Sequence, residues 1–263
     1  PPSFCVSAAN QVPELDWVKT TPLAYQFDRY SAVRHPMIRD ETAVRIFESL
    51  VGSESPALAL VYLSGADVLS HRIWPFADDS AVARMQADSD LWRRSNDALS
   101  EHEFHKRRRP FSGGSTTDEH LKQGRAMIED YYVYLDSLLG RVMNRIDPNR
   151  STLLLISDHG FFSAEQPVPL FPEHSERAVL MGWGHRVKPS AAPSTAKDVD
   201  VAPTVYALLG FPTAADMPGR ILSEHFEASA VATVPTYAKP SILNATQRPT
   251  DFRRLEELQL IGY

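Results

Sequence analysis

Two pairs of residues in this chain have the types and spacing to hold a metal ion. Asp67 and His71 stand four apart in Ser64-Gly65-Ala66-Asp67-Val68-Leu69-Ser70-His71. On one helical turn their side chains share a face and can grip one cation. Asp158 and His159 are adjacent and precede Gly160. Both can face one ion only across a sharp turn, which the conformational freedom of glycine eases. Carboxylate oxygen with imidazole nitrogen suits Zn²⁺, and also Mn²⁺ or Fe²⁺. Each pair brings two ligands, so each ion needs further donors. An isolated Asp-x-x-x-His is ordinarily surface chemistry without a metal, and Asp-His-Gly is as often a plain turn. What points both toward a site is their place, because each follows a short apolar run.

Those runs define the elements that must position the ligands. Ala57–Leu63 (ALALVYL) and Thr152–Ser157 (TLLLIS) read as buried strands, and Ala178–Met181 as a weaker third. Asp40–Val51 reads as a helix with Asp40 as its N-cap and Val44, Phe47 and Leu50 or Val51 as its stripe. Ala126–Ile146 is the clearest helix, with Ile128, Tyr131, Leu135, Leu138, Val142 and Ile146 at helical spacing. Val201–Leu209 is a further helix, with Pro203 in its first turn and Gly210 after its end. Trp74 to about Thr117 reads as a long, polar, irregular connection, with 75–117 as a lid or small insertion. Strands alternating with helices predict an α/β sheet with helices on both faces, and open sheets of that kind bind ligands beyond the carboxyl ends of their strands.

With the motifs in place, a resemblance is recognisable. Tyr62-Leu63-Ser64-Gly65-Ala66-Asp67, continuing through His71 to Trp74, resembles the Y-x-x-G-x-D-x-x-x-H-x-x-W segment of type I phosphodiesterase/nucleotide pyrophosphatase-like proteins of the alkaline phosphatase superfamily. Leu153–Phe161 is similar to that family's strand and metal-binding turn. Asp200-Val201-Ala202-Pro203-Thr204 through Gly210, then Met217-Pro218-Gly219-Arg220-Ile221-Leu222, resembles its D-x-A-P-T … M-x-G-R-x-L ending. Order and spacing fit from about Asp40 to Phe226, roughly the C-terminal half of a family catalytic domain.

The resemblance implies an alkaline phosphatase-like α/β fold, a single domain over 1–263 that is incomplete at its N-terminus. It implies two divalent metal ions, zinc or else manganese, bridged by a substrate phosphate. The first ion takes Asp67, His71 and a later histidine, and the second takes Asp158 and His159 with an Asp and a Ser/Thr nucleophile from further N-terminal. The later histidine corresponds to His174, in Glu173-His174-Ser175-Glu176-Arg177-Ala178, although Ala178 stands where the family has Gly; His185 is the competitor. The implied activity is hydrolysis of a small-molecule phosphate ester, a phosphodiester or nucleotide-like compound. The alternatives are a phosphoglycerate mutase-like phosphomutase and a catalytically inactive metal- or phosphate-binding fragment. No nucleophile is seen in this chain, since Thr20, Thr21 and Ser7 match by type but not by context. A sulfatase would need a Cys/Ser-x-Pro-x-Arg motif, and none is present.

Composition narrows the rest. The 263 residues carry 27 Lys+Arg against 33 Asp+Glu, a net charge of −6, with 43% hydrophobic residues. That is ordinary usage for a globular chain with a sizeable core. No apolar run approaches the ~20 residues of a membrane-spanning helix. Cys5 is the single cysteine, so no internal disulfide forms. The acidic balance gives no general attraction to nucleic acid, and no specific nucleic-acid partner is expected. The His105–Arg109 run reads as a solvated face, and Asn149 and Asn244 head chance glycosylation sequons. The chain opens Pro1-Pro2-Ser3, which reads as a processed or excised piece whose natural partner is the missing N-terminal part of the same domain. Neither compartment nor oligomeric state is written in the sequence.

Overall fold

The computed structural model describes residues 35–53, 56–100, 111, 114–166, 168–189, 195–228 and 232–237. Ser7, Thr20, Thr21, the His105–Arg109 run and Asn244 lie outside the described residues. The chain divides into two compact units, the first ending at Pro193 and the second starting at Ser194.

The first unit is built on a helical core. Helix α1 spans His35–Ser53, α2 Gly65–Ile73, α3 Asp79–Ala87, α4 Leu91–Ser100 and α5 Asp118–Met143. The long helix α5 begins eight residues before the predicted start. Thr117 caps it by accepting from the His120 amide, and the His120 side chain returns the bond to the Thr117 amide. Its buried stripe of Leu121, Gly124, Met127, Ile128, Tyr131, Tyr134, Leu138 and Val142 follows the helical period. That stripe meets Met37, Val44 and Phe47 of α1 and Leu69 and Ile73 of α2. Arg141 of α5 clamps Glu41 (2.8 Å) and Glu48 (2.6 Å) of α1.

The predicted irregular connection after Trp74 is instead mainly helical across residues 79–100. It folds as α3 and α4, and Phe76, Ala81, Met85 and Trp92 are buried in the same core. Asp78 starts this stretch by capping α3 through the amides of Ser80 and Ala81. The polar composition concealed it because these short helices bury few residues each. Asp40 is also corrected: it lies inside α1, not at its cap, and is fully buried.

Strands β1 (Thr152–Ile156), β2 (Gly160–Ala164), β3 (Phe171–Ser175) and β4 (Leu180–Gly184) follow. β1 pairs antiparallel with β4, Thr152 opposite Gly184 and Ile156 opposite Leu180. β2 pairs antiparallel with β3, Gly160 opposite Ser175 and Phe161 opposite His174. The β2–β3 hairpin was not predicted from sequence. Asp78 Oδ2 accepts the Ser163 amide at 3.0 Å and so ties β2 to the start of α3.

Ala57–Leu63 differs from its predicted buried strand. It joins no ladder among the described residues, and Leu60 is 90% exposed. An apolar run is buried as a strand only where neighbours pair with it and cover it, and here only Val61 and Leu63 touch the core.

In the second unit, α6 (Val201–Leu208) follows a short 3₁₀ turn, and β5 (Thr213–Ala214) pairs in parallel with β6 (Thr233–Val234). The Asp200…Thr204 motif acts structurally here. Buried Asp200 accepts the amides of Lys197 (3.0 Å) and Arg220 (2.8 Å), and Thr204 Oγ1 accepts the Leu222 amide at 3.0 Å. Helix start and return loop are thereby joined. The mixed helix and strand content fits an α/β fold, and the ladders among the described residues are two-stranded. No described helix is long and apolar enough to cross a membrane.

Candidate metal centre

The site forms where α2, the β1–β2 turn and β3 converge. Asp67 stands in the first turn of α2, where the helix dipole favours a carboxylate, and His71 stands in its last turn. Their four-residue spacing puts His71 Nε2 3.4 Å from Asp67 Oδ1. His159, on the turn into β2, brings Nε2 to 3.7 Å from the same oxygen. His174 in β3 brings its Nε2 to 3.9 Å. One carboxylate oxygen therefore faces three imidazole nitrogens.

The histidines also contact each other. His174 Nε2 lies 2.9 Å from His71 Nε2. The His159 and His174 rings stack, centroids 3.7 Å apart and 16° from parallel. His159 Nδ1 sits 3.1 Å from the Gly160 carbonyl. A carbonyl can only accept, so the proton belongs on Nδ1 and Nε2 offers its lone pair to the cluster. Asp158 is at the rim, its side chain 85% exposed and one oxygen 3.7 Å from His159 Nε2. His185 is exposed beside Ser151, at the opposite end of the β1–β4 ladder from Asp158.

Phe161 follows the Asp158-His159-Gly160 turn and stands at the centre of the histidine cluster. Its ring meets His71, His159 and His174 edge-on at 5.0, 5.2 and 5.2 Å between centroids. Trp74, the last residue of the motif that carries Asp67 and His71, lies 5.6 Å from Phe161 between ring centroids. The cross-strand register that pairs Phe161 with His174 was the missing signal, and only the hairpin reveals it. Gly160 is needed for a reason other than the expected turn. A Cβ there would sit 2.7 Å from the Arg177 carbonyl oxygen and 2.8 Å from Ser175 Oγ, so close strand approach excludes a side chain.

Burial works against the charge of Asp67, but pairing with His71 and the positive potential of His71, His159 and His174 outweigh it, holding the carboxyl below its usual range. Burial and the neighbouring His159 and His71 push His174 down, toward the neutral form whose lone pair a metal requires. Asp67 Oδ1 is buried without a hydrogen-bond partner of good geometry. A buried carboxylate oxygen left without a donor is costly, and a cation satisfies it. Ligands on a tetrahedral ion at about 2.1 Å stand about 3.4 Å apart, close to the spacing of this group. Asp67, His71 and His174 place their donor atoms within 4.8 Å of one another, so the donor set fits a divalent cation.

Comparison with known proteins adds the family. The type I phosphodiesterase / nucleotide pyrophosphatase family matches residues 2–206. The chain belongs to that family. This phosphodiesterase-family chain is also similar to the 2,3-bisphosphoglycerate-independent phosphoglycerate mutase of Gloeobacter violaceus (strain ATCC 29082 / PCC 7421). The two are 33% identical over 103 residues, covering 34% of this chain and 18% of the mutase. The chain therefore spans less than a fifth of that relative's length in the match. No solved structure matches it.

Proposed function

We propose that this chain carries the metal centre of a phosphoric-ester hydrolase acting on a small-molecule phosphodiester or nucleotide-like substrate. The observation that carries this reading is Asp67 Oδ1, buried with no hydrogen bond of good geometry and facing the Nε2 atoms of His71, His159 and His174. Asp67, His71 and His174 hold the first ion. His159 and the exposed Asp158 offer donors to a second beside it. A histidine-rich donor set suits zinc first and manganese second. Bound divalent ions supply the charge that offsets the phosphoryl oxygens and the departing oxygen of the ester. The residues of this chain orient those charges: His159 through its fixed tautomer, and Phe161 by packing against three imidazole edges. An alkaline phosphatase-like sheet is the architecture this reading requires. The attacking Ser or Thr is assigned to no residue of this chain.

A phosphomutase reading is kept because the mutase relative matches part of the chain. Metal analysis, combined with hydrolysis of a nitrophenyl phosphodiester and monoester, tests the proposal. Bound zinc approaching two per chain, with turnover abolished in Asp67→Ala, supports hydrolysis. Phosphate migration between hydroxyls of a phosphorylated hydroxy acid, without hydrolysis, supports the mutase. Absence of bound metal, with Asp67→Ala indistinguishable from wild type in stability, overturns the metal reading.

A further inference from the structure

Helix α2, which carries Asp67 and His71, is secured at its N-terminus by a residue outside itself. Its own N-cap, Ser64, has helical dihedrals and makes no side-chain capping bond. The Gly65 amide instead donates to Asp40 Oδ2 at 3.3 Å, from the middle of α1. The same oxygen accepts the Tyr131 hydroxyl of α5 at 2.9 Å. Three helices thus meet at one carboxylate oxygen, and Asp40 is 0% exposed. The other oxygen, Oδ1, is buried without a partner. A buried, half-satisfied carboxylate is a costly way to fill a core. Its return is local: it satisfies an otherwise orphaned helix amide and sits at the positive end of the helix dipole. Gly65 is matched to this contact. A Cβ there would overlap the Tyr131 hydroxyl and lie 2.7 Å from Asp40 Oδ2.

We propose that Asp40, held by Tyr131, is a positioning residue for the metal centre, fixing the first turn of α2 and through it the aim of Asp67 and His71. Asp40 touches neither ligand. It acts on backbone two residues before Asp67, where a small tilt of the helix start displaces both ligand atoms. The proposal rests on the reading of the cluster as a divalent-cation site. Residues that support metal ligands typically change metal affinity 10–100-fold when altered.

The test is zinc affinity of the full chain, measured by competition with a chromophoric chelator, together with amide hydrogen exchange of residues 65–73 in metal-free protein. Asp40→Ala and Tyr131→Phe are expected to weaken zinc binding about 10-fold and to speed exchange in α2 beyond any change in α5. Asp40→Asn keeps a carbonyl oxygen for the Gly65 amide and restores most of the affinity. If Asp40→Ala does not fold, Tyr131→Phe carries the test, since it loses only a hydroxyl. Zinc affinity and α2 exchange that stay at wild-type values in Tyr131→Phe and Asp40→Ala overturn the positioning role alone, even if thermal stability falls. Failure of the wild-type chain to bind zinc overturns both this role and the metal centre.

Discussion

At the scale of single residues, Asp40 and Asp67 show how differently a fold treats two carboxyls. Burial dominates at Asp40 and pushes its carboxyl up to about 6, with the Tyr131 hydroxyl and the Gly65 and Ser64 amides pulling the other way. At Asp67 the histidines win and the carboxyl is held low. The sign at Asp40 has a measurable consequence. Its folded pKa exceeds the unfolded value of 3.8, so between about pH 4 and 6 the folded chain binds more protons than the unfolded one. The contribution of this group to stability is therefore full below about pH 4 and is lost as the pH rises through about 6. The loss amounts to about 3 kcal/mol at most. Urea unfolding of wild type and Asp40→Asn at pH 4.5 and 7.5 checks this: the wild type should lose more stability across that interval than the variant. Equal losses would show that Asp40 ionises in the fold as it does in the unfolded chain.

At the scale of elements, stability of the ligand-bearing helix depends on how α1 and α5 hold each other. Arg141 donates to both Glu41 and Glu48, and Glu41 is nearly fully buried. The Arg141 hydrogen bond leads the effects that hold the Glu48 carboxyl below its usual range. Removing one partner of such a cluster leaves a buried carboxylate without its counter-charge. Because Arg141 is a third exposed, solvent softens the penalty. Arg141→Met is expected to destabilise by about 2–3 kcal/mol, read from the denaturant midpoint at unchanged slope. The elements also separate what is legible locally from what is not. Helix α5 announces itself through a stripe many turns long, and β1 through a compact apolar run. The short helices α3 and α4 fully bury only two described residues each, Ala81 and Met85 in α3 and Trp92 and Ser95 in α4, so their period is faint. The β2–β3 hairpin hides because Phe171-Pro172-Glu173-His174-Ser175 has a proline and three polar residues where a strand is not expected.

At the scale of the whole molecule, metal binding should appear as stability. A ligand that binds only the folded chain adds about 2.7 kcal/mol at 100 times its Kd, which corresponds to a rise of several degrees in Tm for a unit of this size. Zinc is expected to raise Tm in wild type, a chelator to reverse it, and Asp67→Ala to abolish the response. A zinc-independent Tm would count against a folded-state metal centre. The site draws on α2, β3 and the β1–β2 turn of the first unit, and the second unit is organised separately around Asp200 and Thr204.

The division between sequence and structure follows from the range of the forces involved. Sequence alone determined what is settled within a helical turn or a strand end: the shared face of Asp67 and His71, the Asp158-His159 pair after β1, and the long stripe of α5. These depend on backbone periodicity, which a few neighbouring residues establish. Tertiary structure decided which distant residue joins them. Whether His174 or His185 lies beside His71 depends on the register of β2 against β3, a matter of pairing and burial across the hairpin. The place of Asp40 was decided the same way. Its type suggested a cap for its own helix, but the packing of three helices turned its carboxylate onto the start of another.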